Sequence, residues 1–160
     1  MKKKILVTGG LGFIGSHTVV CLHEAGYEPI IIDNLSNSLM SAMDGIQPLI
    51  GYKPTFINAD VNDKNALSDL IESHKPEAII HFAAFKAVGE SVEKPLMYYH
   101  NNLGGLISVL EVMQQHNLSN LVFSSSCTVY GEPDIVPISE STTTKPAQSP
   151  YGATKQMGEI

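Results

Sequence analysis

Tyr151-Gly152-Ala153-Thr154-Lys155 sets a phenol and an ammonium four residues apart. On a helix such residues share a face. The ammonium favours the phenolate, and a tyrosine so assisted works as a general base or acid. Among six tyrosines this spacing can also arise without purpose, so its surroundings decide. Ser149 and Pro150 precede it as a natural N-cap and first helical residue. Ser126 closes the run Asn120-Leu121-Val122-Phe123-Ser124-Ser125-Ser126, and its hydroxyl can bond the same substrate oxygen. Tyr151, Lys155 and Ser126 are therefore the candidate catalytic residues, with Tyr151 and Ser126 facing a substrate hydroxyl.

A second constellation opens the chain. Thr8-Gly9-Gly10-Leu11-Gly12-Phe13-Ile14-Gly15 follows the apolar run Ile5-Leu6-Val7 and precedes an amphipathic run from Ser16 to Ala25. Strand, glycine turn and helix are the context in which such spacing binds dinucleotides. Gly9 permits a sharp turn, Gly12 a close approach to pyrophosphate, and Gly15 tight helix packing. Phosphate then sits at the positive end of the helix. Pro29-Ile30-Ile31-Ile32-Asp33 reads as the next buried strand, its acid roughly twenty residues beyond the turn, near the offset of a ribose-binding carboxylate; the alternative is a turn residue at the strand end. That charge repels a 2′-phosphate, and no Lys or Arg follows before Gln47, so NAD is favoured over NADP. A Ser–Tyr–Lys set beside NAD implies oxidation of an alcohol carbon with hydride passing to the nicotinamide.

These residues need a scaffold. Asn34, Leu35, Ser36, Asn37 and Ser38 form a polar turn that either simply reverses the chain or donates to ribose or phosphate. Residues 39–53 read as a loose helix or loop, broken by Gly45, Pro48 and Gly51. Thr55 to Asp60 reads as a third strand. Asp60 and Val61 could meet an adenine; alternatively, Asp60 or Asn62 caps the helix Lys64 to His74. A fourth strand, Glu77 to Ala84, leads into a loop, Phe85 to Ser91. Its Lys86 is either a solvated surface charge or a ligand for phosphate or ribose oxygens. One long helix is expected from about Pro95 to Asn117, with Asn101, Asn102, Gly104 and Gly105 against propensity inside it; an Asn there either holds a loop backbone or a ribose or is a surface residue. The fifth strand then carries the serines. This βαβαβαβαβ–α order predicts an α/β, doubly wound parallel sheet of Rossmann type.

Composition narrows the function. The 160 residues are 43% hydrophobic with net charge −6. That excludes general disorder and argues against nucleic-acid or anionic-membrane partners. Three lysines at the start are followed by only three apolar residues before the glycine turn, too few for a signal peptide. With no membrane-length apolar run, a cytoplasmic protein is expected. Cys21 and Cys127 are expected to be buried free thiols, and the scattered histidines predict no metal site.

Beyond the glycine turn, Asp33 to Ser38, His81-Phe82-Ala83-Ala84-Phe85-Lys86-Ala87-Val88-Gly89-Glu90-Ser91, Tyr98 to Asn102, Ser124 to Ser126 and Ser149 to Lys155 together carry a family likeness. The chain resembles the first part of the UDP-glucose 4-epimerases (UDP-galactose 4-epimerases), extended short-chain dehydrogenase/reductases. The resemblance implies NAD contacts at Phe13, Ile14, Asp33, Asn34, Leu35, Ser36, Asn37, Ser38, Asp60 and Val61. It implies further contacts at Phe82, Ala83, Ala84, Phe85, Lys86, Asn101, Tyr151 and Lys155. It implies a UDP-sugar substrate oxidised at C4 to a 4-keto sugar and reduced from its other face, a reaction of galactose metabolism. It also implies a homodimer formed through the helices beginning near Pro95 and Tyr151. Residues 1–160 would be the NAD-binding domain, incomplete at its C-terminal end, with the substrate domain outside this stretch. The competing readings are a nucleotide-sugar 4,6-dehydratase or decarboxylase, and a non-catalytic NAD-binding module. A dehydratase uses an acid pair beside the serine, where this chain has Cys127, and a module can dispense with the Tyr–Lys pair.

Overall fold

Leu6 and Val7 are both fully buried, yet they belong to different apolar cores. Successive side chains of a strand point to opposite faces, so a strand buried at both positions must carry helices on both sides. That requirement organises the first of two compact units in the structure, a computed structural model that describes residues 2–160.

The first unit runs to Ala84 and includes Gly105–Ser124. Its strands β1 (Lys4–Thr8), β2 (Glu28–Asp33), β3 (Thr55–Asn58), β4 (Ala78–His81) and β5 (Leu121–Phe123) form a parallel sheet in the order β3-β2-β1-β4-β5. Val7 lies opposite Ile31 of β2 on one side and Ile80 of β4 on the other. Strand order reverses at β1, which opens a crevice beyond the carboxyl ends of β1 and β4. On one face Val7 and Ile31 pack with Val19 of α1 (Phe13–Glu24) and Met43, Ile46 and Ile50 of α2 (Ser41–Ile50). On the other, Leu6, Ile30, Ile32 and Ile79 pack with α3 (Lys64–His74) and α6 (Gly104–Gln115), through residues such as Leu67, Val109 and Val112.

Several local details differ from the sequence reading. α1 starts at Phe13, not Ser16, because extended Gly12 is already its N-cap. Residues 41–50 form a regular helix despite Gly45 and Pro48; buried Met43, Ile46 and Ile50 offset the poor propensity, and Gly51 at φ +80° ends it. Asp63, rather than Asp60 or Asn62, caps α3, its Oδ1 accepting from the Asn65 and Ala66 N–H groups. β3, β4 and β5 are shorter than their apolar runs. Gly105 has its reason in packing: a Cβ there would lie 3.0 Å from Cγ2 of Val61.

The second unit comprises Phe85–Gly104 and Ser125–Ile160. The expected loop after Phe85 is helical from Val88, as α4 (Val88–Glu93). The expected single helix from Pro95 is instead α5 (Pro95–Tyr98), a π-helical turn at Tyr99–Leu103, and then α6. A 3₁₀ turn covers Cys127–Tyr130, and α7 spans Pro150–Gly158. Ser149 is the N-cap of α7, as anticipated, accepting from the Gly152 N–H at 3.1 Å. Gln156 fastens the preceding polar loop: its amide donates to the carbonyls of Val129 and Lys145, and its Oε1 accepts from the Ala147 N–H. Cys21 and Cys127 are both exposed, contrary to expectation, because each falls on the outward side of its helical turn. Among the described residues no helix is long and apolar enough to cross a membrane, and no group of three or more His, Cys, Asp or Glu could hold a metal.

The glycines of the first unit separate cleanly. A Cβ on Gly15 would stand 2.2 Å from the Gly9 carbonyl oxygen, whereas one on Gly45 would meet nothing within 4 Å. Gly15→Ala should therefore destabilise by about 1–3 kcal/mol, the range for overpacking against backbone that cannot give way. Gly45→Ala should be neutral or stabilising by up to about 1 kcal/mol through helix propensity. Denaturant unfolding of the two variants against wild type checks both signs.

Candidate active site

In the first unit the candidate residues gather at the carboxyl ends of β1, β2 and β4. Gly9 turns the chain at φ +66°, and a Cβ on it would lie 2.8 Å from the Ala83 backbone nitrogen. Thr8 stitches the same place: its hydroxyl accepts from the Ala83 N–H at 3.2 Å and pairs with His81 Nδ1 at 2.8 Å. Gly12 offers α1 no side-chain cap, and the first turn carries no acidic residue. The leading N–H groups of α1 thus lack a capping acceptor from the chain, which is the geometry that receives an anion. Phe13 and Ile14 stand exposed in that first turn, Phe13 at 78%.

Asp33 is buried and already employed. Its Oδ2 accepts from the Leu11 N–H at 3.0 Å, and its Oδ1 from the Leu35 N–H at 3.0 Å and the Ser38 hydroxyl at 2.7 Å. A carboxylate has about four acceptor positions, so one on Oδ2 is left for a further donor. The residue read from spacing as a ribose ligand therefore also ties the glycine turn to the end of β2. Leu35 is held at φ +59°, and the Asn34 side chain accepts from the Ser36 N–H, so the polar turn is built by its own side chains. Ser36 and Asn37 are exposed, and Ser38 half-buried.

Asp60 accepts from the Asn62 N–H and amide and from the Asn34 amide, at 2.8–2.9 Å. Burial alone would raise this carboxyl, but the three hydrogen bonds outweigh it and hold it below the ordinary carboxylate range. Val61 beside it is buried, whereas Phe82, Ala83 and Ala84 are half-buried beyond β4.

The second unit brings Phe85, Lys86, Asn101, Ser126, Tyr151 and Lys155 into one compact body. Tyr151 and Lys155 lie on α7, with Nζ 5.9 Å from the phenol ring centroid. Lys155 is only 5% exposed, and burial lowers its pKa from 10.5 to about 8. At neutral pH the ammonium still predominates, giving a cation beside the phenol in low-dielectric surroundings. Ser126 Oγ accepts from both the N–H and the hydroxyl of Thr128, at 3.3 and 3.0 Å. Its two acceptor positions are filled, which leaves its O–H to donate outward. Lys86 has an exposed side chain, while Asn101 is half-buried and donates to Asn102 Oδ1 at 3.0 Å.

Thr154, Tyr98 and Glu90 carry no role in the sequence reading, whereas Asn102 is one of the two helix amides expected either to hold a loop backbone or a ribose or to lie on the surface, and it does the first. Asn102 grips the Phe85 backbone at both ends, accepting from its N–H at 2.8 Å and donating to its carbonyl at 3.0 Å. It also donates to the Thr154 hydroxyl, which donates to the Tyr151 carbonyl at 2.7 Å. The signal for Asn102 lay in plain view, an amide in the body of a helix where propensity disfavours it. Nothing in residue type marked Tyr98 or Glu90.

Sheet order, flanking helices and glycine turn define a Rossmann-type doubly wound fold. A family model described as GDP-mannose 4,6 dehydratase matches residues 6–160, and the chain belongs to that family. Among relatives, the UDP-glucose 4-epimerase of Yersinia pestis is 50% identical over 155 residues, covering 97% of this chain and 46% of that protein. The human UDP-glucose 4-epimerase is 49% identical over 161 residues, with the same two coverages. The UDP-glucose 4-epimerase of Bifidobacterium longum, solved in complex with NAD+ and UDP, superposes with a TM-score of 0.95 at 41% identity, covering 98% of this chain and 47% of that one. The Stenotrophomonas maltophila enzyme, with bound NAD and formylated UDP-arabinopyranose, gives 0.94 at 43% identity, covering 98% and 46%. The chain thus spans about half the length of the curated relatives it matches.

The buried ammonium sets a pH signature. The native state releases the Lys155 proton near pH 8 and the unfolded chain near 10.5. Between these values the unfolded state holds more protons, so stability rises with pH. Below about 8 the cost of burying the charge is fully present. The unfolding free energy of wild type minus that of Lys155→Met should be flat below pH 8 and climb from about 8 to 10.5. Denaturant titrations across that range measure it.

Proposed function

We propose that this chain supplies the NAD-binding and proton-transferring part of an isomerase that interconverts UDP-glucose and UDP-galactose through a 4-keto sugar. The observation that carries the reading is the buried Lys155 ammonium one helical turn from Tyr151, in a chain about 50% identical to proteins named UDP-glucose 4-epimerase.

The residues fit the cofactor. Gly9 and Gly15 leave no room for a Cβ around the turn, and Gly12 leaves the α1 N-terminus uncapped, which suits a pyrophosphate. Asp33 keeps one acceptor position for a ribose hydroxyl and carries a charge that disfavours a 2′-phosphate. On this reading Gly9, Gly12, Phe13, Ile14 and Gly15 hold the phosphates, Asp33 to Ser38 the adenosine ribose, and Asp60 and Val61 the adenine. Phe82 to Lys86, Asn101, Tyr151 and Lys155 hold the remainder. NAD, when bound, supplies reversible acceptance of a hydride, which no side chain offers.

Tyr151 takes the proton from the C4 hydroxyl as general base, and Lys155 compensates the phenolate charge. Ser126 donates its O–H to the same oxygen and stabilises it as it becomes a ketone. Once the keto sugar presents its other face, the hydride returned to C4 would set the inverted configuration, and Tyr151 gives the proton back to the C4 oxygen. An epimerase is favoured over a 4,6-dehydratase because Cys127 and Thr128, not acids, follow Ser126. The retained Tyr–Lys pair favours catalysis over a non-catalytic NAD-binding module.

The proposal places the protein in galactose metabolism in the cytoplasm. Residues 1–160 serve as the NAD-binding domain, with the UDP part of the substrate bound elsewhere in the full-length enzyme. A homodimer would form through the helices beginning near Pro95 and Tyr151, and the net charge of −6 supports no nucleic-acid partner.

The full-length protein, incubated with UDP-galactose and no added cofactor, should form UDP-glucose. Tyr151→Phe should lower kcat by about 10²–10⁴-fold, the contribution of a lost general acid–base. Absence of conversion by wild type, or undiminished turnover by Tyr151→Phe, refutes the proposal.

A further inference from the structure

Tyr98 is fully buried, yet it carries a polar group with two partners. Its hydroxyl donates to Glu90 Oε2 at 2.9 Å and accepts from the Ala87 N–H at 3.1 Å. Its ring meets the Tyr151 ring edge-on, with centroids 6.5 Å apart and planes at 81°. The Phe85 ring lies 5.8 Å away on a tilted plane. Glu90 is itself oriented, its Oε1 receiving the Lys94 ammonium at 3.2 Å. The hydrogen bond from Tyr98, and then Lys94, hold the Glu90 carboxyl below its usual range, while burial, and then Glu90, push the Tyr98 phenol up. The pair is therefore a neutral phenol donating to a carboxylate, a charge-assisted bond of the stronger kind.

The segment Phe85-Lys86-Ala87 is consequently clamped on both sides of Lys86. Asn102 holds the Phe85 backbone, and Tyr98 holds the Ala87 N–H. The residue that fixes Ala87 is the same residue whose ring packs against Tyr151. Nothing in the proton chemistry above uses it.

We infer that Tyr98, oriented by Glu90, is a positioning residue that fixes the Tyr151 ring and the Lys86 backbone together. Tyr98 touches no reacting atom; it acts through Tyr151 by its ring and through Lys86 by its hydroxyl. The two contacts are separable. Tyr98→Phe keeps the ring and releases Ala87, whereas Tyr98→Leu removes the ring as well. Glu90→Gln keeps an acceptor for the phenol, and Glu90→Ala does not.

The inference rests on the proposed function for its kinetic arm, and the other arms need no substrate. In the full-length protein, Tyr98→Phe should speed hydrogen exchange at the Ala87 amide by about tenfold or more, since its acceptor is gone. It should also lower the NAD retained through gel filtration, measured after denaturation. Tyr98→Leu should lower kcat per NAD-loaded site by about tenfold or more with KM for UDP-galactose within about threefold, as expected for a misplaced proton-transfer group. Glu90→Gln, which keeps only a neutral acceptor, should fall between wild type and Tyr98→Phe, and Glu90→Ala should follow Tyr98→Phe. A merely structural tyrosine would lower thermal stability and leave kcat per loaded site unchanged. That result in Tyr98→Leu, or unchanged Ala87 exchange and NAD retention in Tyr98→Phe, overturns the inference. Should wild type convert no UDP-galactose, the function fails on its own, and Ala87 exchange in Tyr98→Phe still decides the clamp. If Tyr98→Leu does not fold, Tyr98→Met, which removes the ring but fills the space with a flexible apolar side chain, carries the same kinetic test.

Discussion

Everything in the first unit depends on how closely α1 may approach the turn that precedes it. The space between Gly15 and the Gly9 carbonyl cannot hold a single methyl group. That proximity brings the start of α1 to the end of β1 and leaves its leading N–H groups facing the crevice where strand order reverses. Asp33 secures the arrangement from the neighbouring strand by accepting from the Leu11 N–H. An anion cradle and a hydroxyl acceptor thus arise from a few backbone contacts.

The second unit solves a different problem. A phenol in the proton-transferring role proposed for Tyr151 must keep one orientation while its charge changes. Its lysine neighbour is kept in low-dielectric surroundings, its backbone carbonyl is bonded by Thr154, and its ring is flanked by Tyr98. Asn102 reaches Thr154 from the π-helical turn while holding Phe85. π-helical turns are frequent at functional sites. Here the turn carries the amide that links the loop to α7.

Much of this was legible in the sequence because it rests on local rules. The glycine spacing, Asp33 after a β-branched run, the cap Ser149 and the pair Tyr151–Lys155 each follow from a period or a backbone preference. The sheet order agreed with the alternation of apolar runs and helices. What escaped was non-local. The helix at Val88–Glu93 is short, and its first turn is Val-Gly, so propensity did not announce it. The π turn depends on where Asn102 must reach, which spacing along the chain does not reveal. Asp33 was weighed as a ribose ligand or a strand-end turn residue; its bonds to Leu35 and Ser38 are of the turn kind, whereas the bond to Leu11 escaped because it joins residues of different elements. Cys21 and Cys127 were expected inside on general habit, but the phase of their helical turns turns them outward.

The outward placement of those two thiols has a practical consequence. Cys21 belongs to the first unit and Cys127 to the second, directly beside Ser126. Residues 1–160 therefore carry one exposed thiol for a dye or spin label in each unit. A label at Cys21 would report on the first unit and a label at Cys127 on the second.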